Sequence, residues 1–164
     1  MIFVTVGTEQ YPFDRLIRAM DEVAGQLSGE PVLMQLGVGR FIPQACRWER
    51  SFSYTDMEGH IAQARVVVAH AGIGSILLSL RHGKIPVVMA RRKSLREHVD
   101  DHQFEIAERM AQMGYVLHAR QPSELVSLVL EYEQRRMSLA LPPSSRRDFV
   151  ESLAKDFISW EKGR

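Results

Sequence analysis

VVVAHAGIGSILLSLRHGKIPVVMARRKSLREHVDDHQ, residues 66–103, decides the fold. Val66 to Ala69 is a short apolar, β-branched run, and His70-Ala71-Gly72-Ile73-Gly74-Ser75 separates it from a helical pattern that ends at Gly83. The order is strand, glycine-rich turn, helix. A helix entered directly from a strand aims unsatisfied backbone N–H groups, and the positive end of its dipole, at whatever occupies the turn. Glycines let that ligand approach the backbone closely, and the natural occupant is a phosphate. Two familiar phosphate loops are excluded. The Walker A motif needs Gly-Lys-Ser/Thr at the turn, and the dinucleotide fingerprint needs three spaced glycines with an acid about 20 residues on.

Working outward, strand candidates are Phe3 to Val6, Val32 to Leu36, Ser51 to Tyr54, Val66 to Ala69, Val87 to Ala90 and Tyr115 to His118. Helical spacing separates most of them. Phe13, Leu16, Ile17, Met20, Val23, Ala24 and Leu27 recur at three and four residues, as do Phe104, Ala107, Met110 and Ala111, and then Leu125, Leu128 and Val129. Alternating apolar strands and helices predict an α/β fold, a single Rossmann-like three-layer domain with a parallel sheet covered on both faces. In such sheets ligands bind beyond the carboxyl ends of strands, where the strand order reverses. Gly7-Thr8, the His70 to Ser75 turn and the Arg91 to Gln103 loop all follow strands, which places them around one crevice.

The 164 residues fit one domain. Residues 1–140 read as that domain, and 141–164 as a linker and a C-terminal amphipathic helix. Leu141-Pro142-Pro143-Ser144-Ser145 interrupts the chain, Ser144 or Ser145 is placed to cap, and Phe149, Leu153 and Phe157 follow at four-residue spacing, with Val150, Ile158 and Trp160 widening the stripe. Such a helix either docks on its own sheet or reaches for a partner. A net charge of +1 gives no bulk attraction to nucleic acid, so no nucleic-acid partner is expected. Cys46 is the only cysteine, which excludes an internal disulfide and a cysteine-based metal cluster and suits a reducing, cytoplasmic setting. Ile2 to Val6 is strand-like, without a basic leader, and no apolar run approaches the roughly 20 residues that span a bilayer.

The His-Ala-Gly-x-Gly-Ser turn at residues 70–75, Gly83-Lys84-Ile85-Pro86 leading into the next strand, and His102-Gln103 in the following loop resemble, in order and spacing, the nucleotide-sugar half of GT-B glycosyltransferases of the family 28 type. Val4-Thr5-Val6-Gly7-Thr8, Pro12-Phe13-Asp14-Arg15-Leu16 and Glu97-His98-Val99-Asp100-Asp101-His102-Gln103 are most similar to the short exopolysaccharide-biosynthesis subunits of that group. The resemblance runs from Met1 to about Gly114. It implies the C-terminal, donor-binding half of a GT-B enzyme: a hexosyltransferase subunit moving sugar from a nucleotide diphosphate-sugar, UDP-linked, to a lipid-linked acceptor in exopolysaccharide or glycan assembly. A non-catalytic subunit that enhances or stabilises a separate transferase is the alternative. The chain has no room for an acceptor domain, so the resemblance implies a membrane-associated, acceptor-binding partner subunit that holds this chain at the inner face of the membrane. No cofactor or metal is implied, since these enzymes generally stabilise the leaving diphosphate with helix and side-chain charge.

Residue by residue, the resemblance gives His70, Gly72, Gly74 and Ser75 to the donor diphosphate, with Gly7 and Thr8 in the first loop. An imidazole beside phosphate is able to bear charge, and Ser75 sits where a hydroxyl both caps the helix and meets a phosphate oxygen. Arg91, Arg92 and Lys93 are three adjacent cations after a strand, fit for a diphosphate or an anionic lipid surface, and Arg91 is expected at the diphosphate. Asp101, His102 and Gln103 match the sugar-binding loop, where a planar amide suits a vicinal diol. His98 and His102 mimic a metal-ligand spacing but lack a third ligand. Leu78 departs from many family members, which carry there a glutamate for the ribose hydroxyls; the phosphate turn survives that change and the ribose clamp does not. No motif names the general base.

Overall fold

The computed structural model describes residues 1–139. The predicted linker and terminal helix at 141–164 lie outside the described residues. The chain runs β1 (Ile2–Thr5), α1 (Asp14–Gln26), β2 (Val32–Gln35), β3 (Arg47–Glu49), α2 (Tyr54–Gln63), β4 (Val66–His70), α3 (Ile73–Arg81), β5 (Val87–Met89), α4 (His102–Gln112), β6 (Leu117–Ala119), α5 (Pro122–Leu130) and α6 (Tyr132–Met137). A 3₁₀ turn, Lys93–Leu95, lies between β5 and α4.

All strand pairs are parallel, in a six-stranded sheet ordered β3-β2-β1-β4-β5-β6. The order reverses between β1 and β4, which pair with Ile2 opposite Val66 and Thr5 opposite Ala69. Strand alternation sends neighbouring side chains to opposite faces. Ile2, Val4, Val66, Val68, Val87 and Met89 share a core with Leu16, Met20 and Val23 of α1 and Leu125 and Val129 of α5. Across the sheet, Phe3 and Val67 pack with Ile61 of α2 and Leu78 of α3, while Ala69 and Val88 meet Ile76, Ile106 and Met110. The three-layer, parallel α/β domain is as the sequence predicts. Its helices follow burial on one face, and Pro122 opens α5 where a missing N–H costs nothing.

Two strand expectations are corrected. Ser51 to Tyr54 is not a strand: the third strand is Arg47–Glu49, and the Ser53 hydroxyl accepts the Asp56 N–H at 3.1 Å, capping a helix that already begins at Tyr54. The last strand starts at Leu117, two residues later than predicted. Gly114, at φ +79°, ends α4, and the Tyr115 N–H turns back to the Met110 carbonyl at 2.9 Å, as in a Schellman closure.

Candidate donor-binding crevice

At the β1/β4 reversal a crevice of about 480 Å³ opens beyond the strand ends. It is lined by Thr5, Gly7 and Thr8 from the first strand and its loop, by His70, Gly72, Gly74 and Ser75 from the glycine turn, and by α2 and α3 side chains farther along. The structure therefore brings together Gly7, Thr8, His70, Gly72, Gly74 and Ser75, which lie 62 or more positions apart across the two strands' loops in the sequence of 164 residues.

His70 ends β4 and is 7% exposed. Its ring lies between two glycine backbones: a methyl group on Gly7 would collide with His70 Cε1, and one on Gly72 would collide with Nε2. Gly7 also holds φ +73°, a conformation that L side chains avoid. Its turn is fixed from below. The Thr5 hydroxyl donates to Gln35 Oε1 at 2.6 Å and accepts the Gly7 N–H at 3.2 Å, while Gln35 Nε2 donates to the Gly7 carbonyl at 2.8 Å. Gln35, 2% exposed, was missed in the sequence, where one amide inside a strand has no distinguishing signal.

His70 Nδ1 is buried without a hydrogen-bond partner. Burial, reinforced by the charge of Arg91, pushes its pKa down to about 4. The expected phosphate-side cation is thus a neutral imidazole at neutral pH. The negative charge of an arriving diphosphate would offset that of Arg91 and favour protonation.

Gly72 is the N-cap of α3 and offers no side chain, so the first turn presents uncapped N–H groups to the crevice. Ser75 is not the cap; it is the third residue of the helix, and its hydroxyl borders the same space. Gly74 is exposed, with nothing within 4 Å of where a methyl would sit.

Arg91 requires a correction. It does not line the crevice but is fully buried, with its guanidinium donating to the carbonyls of Tyr11 at 2.7 Å, Val6 at 2.8 Å and Glu97 at 3.2 Å and stacking over Phe13. It ties the β1 loop to the β5 loop and leaves no donor pair for a diphosphate. Glu97 in turn receives Arg15 in a two-point ion pair at 3.0 and 2.7 Å and the Arg92 N–H at 3.0 Å.

Asp101, His102 and Gln103 stand at the start of α4, outside the crevice lining. Asp101 accepts the Lys93 N–H at 2.9 Å, and Gln103 Oε1 accepts the Arg91 N–H at 3.4 Å, which leaves the Gln103 NH₂ to donate. His98 Nδ1 pairs with Asp100 at 3.0 Å, and among the described residues no three His, Cys, Asp or Glu side chains gather as a metal site. The sequence reading missed Tyr54, Met57, Leu77 and Arg81, which line the crevice beyond Leu78. Ser53 followed by Asp56 was the available sign of α2.

The chain matches the family model described as Glycosyltransferase family 28 C-terminal domain over residues 1–157, farther than the motifs reach. It is 34% identical over 135 residues to the UDP-N-acetylglucosamine transferase subunit ALG13 of Yarrowia lipolytica, covering 71% of this chain and 63% of that protein. To the protein of the same name from Mus musculus it is 33% identical over 126 residues, covering 71% of this chain and 10% of that protein. The chain thus spans less than two thirds of these relatives. In solved structures it is similar to the glycosyltransferase of kitacinnamycin, with TM-score 0.61, 20% identity, and coverage of 84% of this chain and 37% of that one. It is likewise similar to the calicheamicin glycosyltransferase CalG4, with TM-score 0.58, 19% identity, and coverage of 96% and 39%. At these identities the likeness is one of fold: a single Rossmann-like half of a two-domain GT-B architecture.

Proposed function

Because this chain belongs to the glycosyltransferase family 28 C-terminal domain family, we propose that it is the donor-binding subunit of a two-part hexosyltransferase that moves sugar from a UDP-sugar to a lipid-linked acceptor. The observation that carries the reading is the His70 ring wedged between Gly7 and Gly72 at the mouth of an uncapped helix. That arrangement offers a diphosphate backbone N–H groups, a helix dipole and an imidazole, with no side chain in the way. As the glycosidic bond breaks, charge grows on the departing diphosphate, and these fixed dipoles stabilise it without a metal or cofactor. Gln103, with Asp101 and His102 beside it, would read the donor sugar through its free amide hydrogens.

Among the described residues no helix is long and apolar enough to cross a membrane. A membrane-associated partner carrying the acceptor half would bring the chain to the inner membrane face, in exopolysaccharide or glycan assembly. Leu78 favours a second reading, a non-catalytic enhancer of a separate transferase, because it puts an apolar side chain on the crevice wall. The two readings separate in one assay. Purified alone, the chain should bind UDP-sugar and transfer little or none, and the partner should restore transfer. Binding of UDP-sugar without turnover, even with the partner and a competent acceptor present, would select the enhancer, and robust transfer by the lone chain would overturn the split enzyme.

Donor binding itself is tested at Gly74. UDP at 100 times its dissociation constant should stabilise the fold by about 2.7 kcal/mol. Gly74→Val fills the open space at the helix entrance, so it should remove that gain while changing the ligand-free melting temperature little. An unchanged UDP-dependent shift in the variant would refute the assignment.

A further inference from the structure

Beyond Ser75 the crevice changes character. Its wall is Met57 and Ile61 of α2 with Leu77 and Leu78 of α3, flanked by Tyr54 and Arg81. α3 rises about 1.5 Å per residue, so Leu78 lies one turn, roughly 4.5 Å, along the axis from Ser75. A nucleoside attached to a diphosphate at the helix entrance would therefore put its ribose over Leu78 and its base toward Tyr54 and Arg81.

No carboxylate or side-chain amide is among the residues that line this wall. The carboxylates of α2 nearest to it are engaged elsewhere: Asp56 accepts the Ser53 hydroxyl at 2.6 Å, and Glu58 faces His82 Nε2 at 3.1 Å. Leu78 is held in a core with Phe3, Ile61, Ala64 and Val67 and is 9% exposed, so it is part of the wall and does not swing aside. Tyr54 is 64% exposed and Arg81 is exposed, so a hydrogen bond from either to a ribose hydroxyl replaces one with water and adds little.

Resting on the donor-binding reading, we propose that this crevice does not read the ribose 2′-hydroxyl, and that Leu78 makes it accept 2′-deoxyribonucleoside diphosphate-sugars as well as ribonucleoside diphosphate-sugars. The physical reason is an asymmetry in discrimination. A site built to hydrogen-bond a substrate hydroxyl rejects the analogue that lacks it by factors of about 10⁴–10⁵, because a buried polar group is left unpaired. Here removal of the hydroxyl leaves nothing unpaired. Recognition of the nucleoside falls to apolar contact and to the Tyr54 ring, which take the face of a base and ignore the sugar's hydroxyls.

Calorimetric titration of the full chain with UDP and with 2′-deoxy-UDP, under the same buffer and salt, tests this without any variant. The dissociation constants should agree within about threefold. Measurable UDP binding with 2′-deoxy-UDP tenfold or more weaker would overturn the inference and leave the donor-binding reading standing, while binding of neither would overturn both. Leu78→Glu supplies the missing acceptor and should create a preference for UDP of about tenfold, with Leu78→Gln as the uncharged form should the glutamate fail to fold. An unaltered UDP to deoxy-UDP ratio in a folded Leu78 variant would show that the ribose does not pass over this residue, and would also overturn the proposal.

Discussion

Replacement of Arg91 by methionine should lower the unfolding free energy by about 3–5 kcal/mol, measured by denaturant titration. The change keeps an unbranched, apolar stem, two atoms shorter, but strips donors from the carbonyls of Tyr11, Val6 and Glu97 around a side chain that is itself fully buried. Each buried acceptor left unpaired costs about 1–3 kcal/mol, partly offset because the guanidinium no longer has to be desolvated and Nε, buried without a partner, is gone. Arg91→Lys should recover only part of the loss, because an ammonium cannot span three acceptors as the planar fork does. A surface cation waiting for a diphosphate would behave differently. Its removal would change stability by less than about 0.5 kcal/mol, and that outcome would reject the buried-clamp assignment.

Acidification should destabilise the protein well before its carboxylates titrate. His70 holds its proton more weakly in the folded chain, with a pKa near 4 against an ordinary 6.5, because burial and Arg91 disfavour the imidazolium. Between those values the unfolded chain binds the additional proton, so stability is complete above about pH 6.5 and falls as pH drops toward 4. The full effect is about 3 kcal/mol, with no further loss from this residue below pH 4. His118, whose pKa burial also lowers, slopes the same way. Glu30, Glu108 and Glu133 have lowered values and act below their ordinary 4.5, leaving pH 4.5 to 6.5 to the histidines. His70→Gln should therefore flatten stability over that interval, with the His118 slope remaining. An identical pH profile in wild type and variant would show that His70 is not buried neutral.

The strand-glycine-helix turn was legible because its evidence is local. Val66 to Ala69, Gly72, Gly74 and Ser75 lie within ten residues and keep their meaning whatever the rest of the chain does. β1, β2, β4 and β5 were legible for a similar reason, as strands buried on both faces read as apolar runs. β3 was not. It is an edge strand with exposed Arg47 and Glu49 around a half-buried Trp48, and it shows no apolar alternation, whereas the aromatic and hydroxyl residues just after it imitate a strand. Arg91 was misread because its partners are remote. Tyr11 and Val6 lie 80 and 85 positions away, and nothing in Arg91-Arg92-Lys93 distinguishes the cation that turns inward from those that stay outside. The rest of the far wall was invisible for the same reason, since Tyr54 and Arg81 join Leu78, which the sequence did single out, only once α2 and α3 are packed side by side.

The arginine clamp also bears on the thermodynamics of association. The segment after β5 is already fastened at both ends, by Arg91 to the first loop and by Glu97 to Arg15 and the Arg92 backbone. Fixing a free backbone residue costs about 1–2 kcal/mol, so a comparable slack loop would consume several kilocalories of any ligand's contact energy before binding became visible. Here that entropy is surrendered during folding, before any ligand is present. A sugar nucleotide meeting this rim should bind with a small unfavourable conformational entropy, and changes that loosen the clamp should weaken binding through entropy rather than through lost contacts.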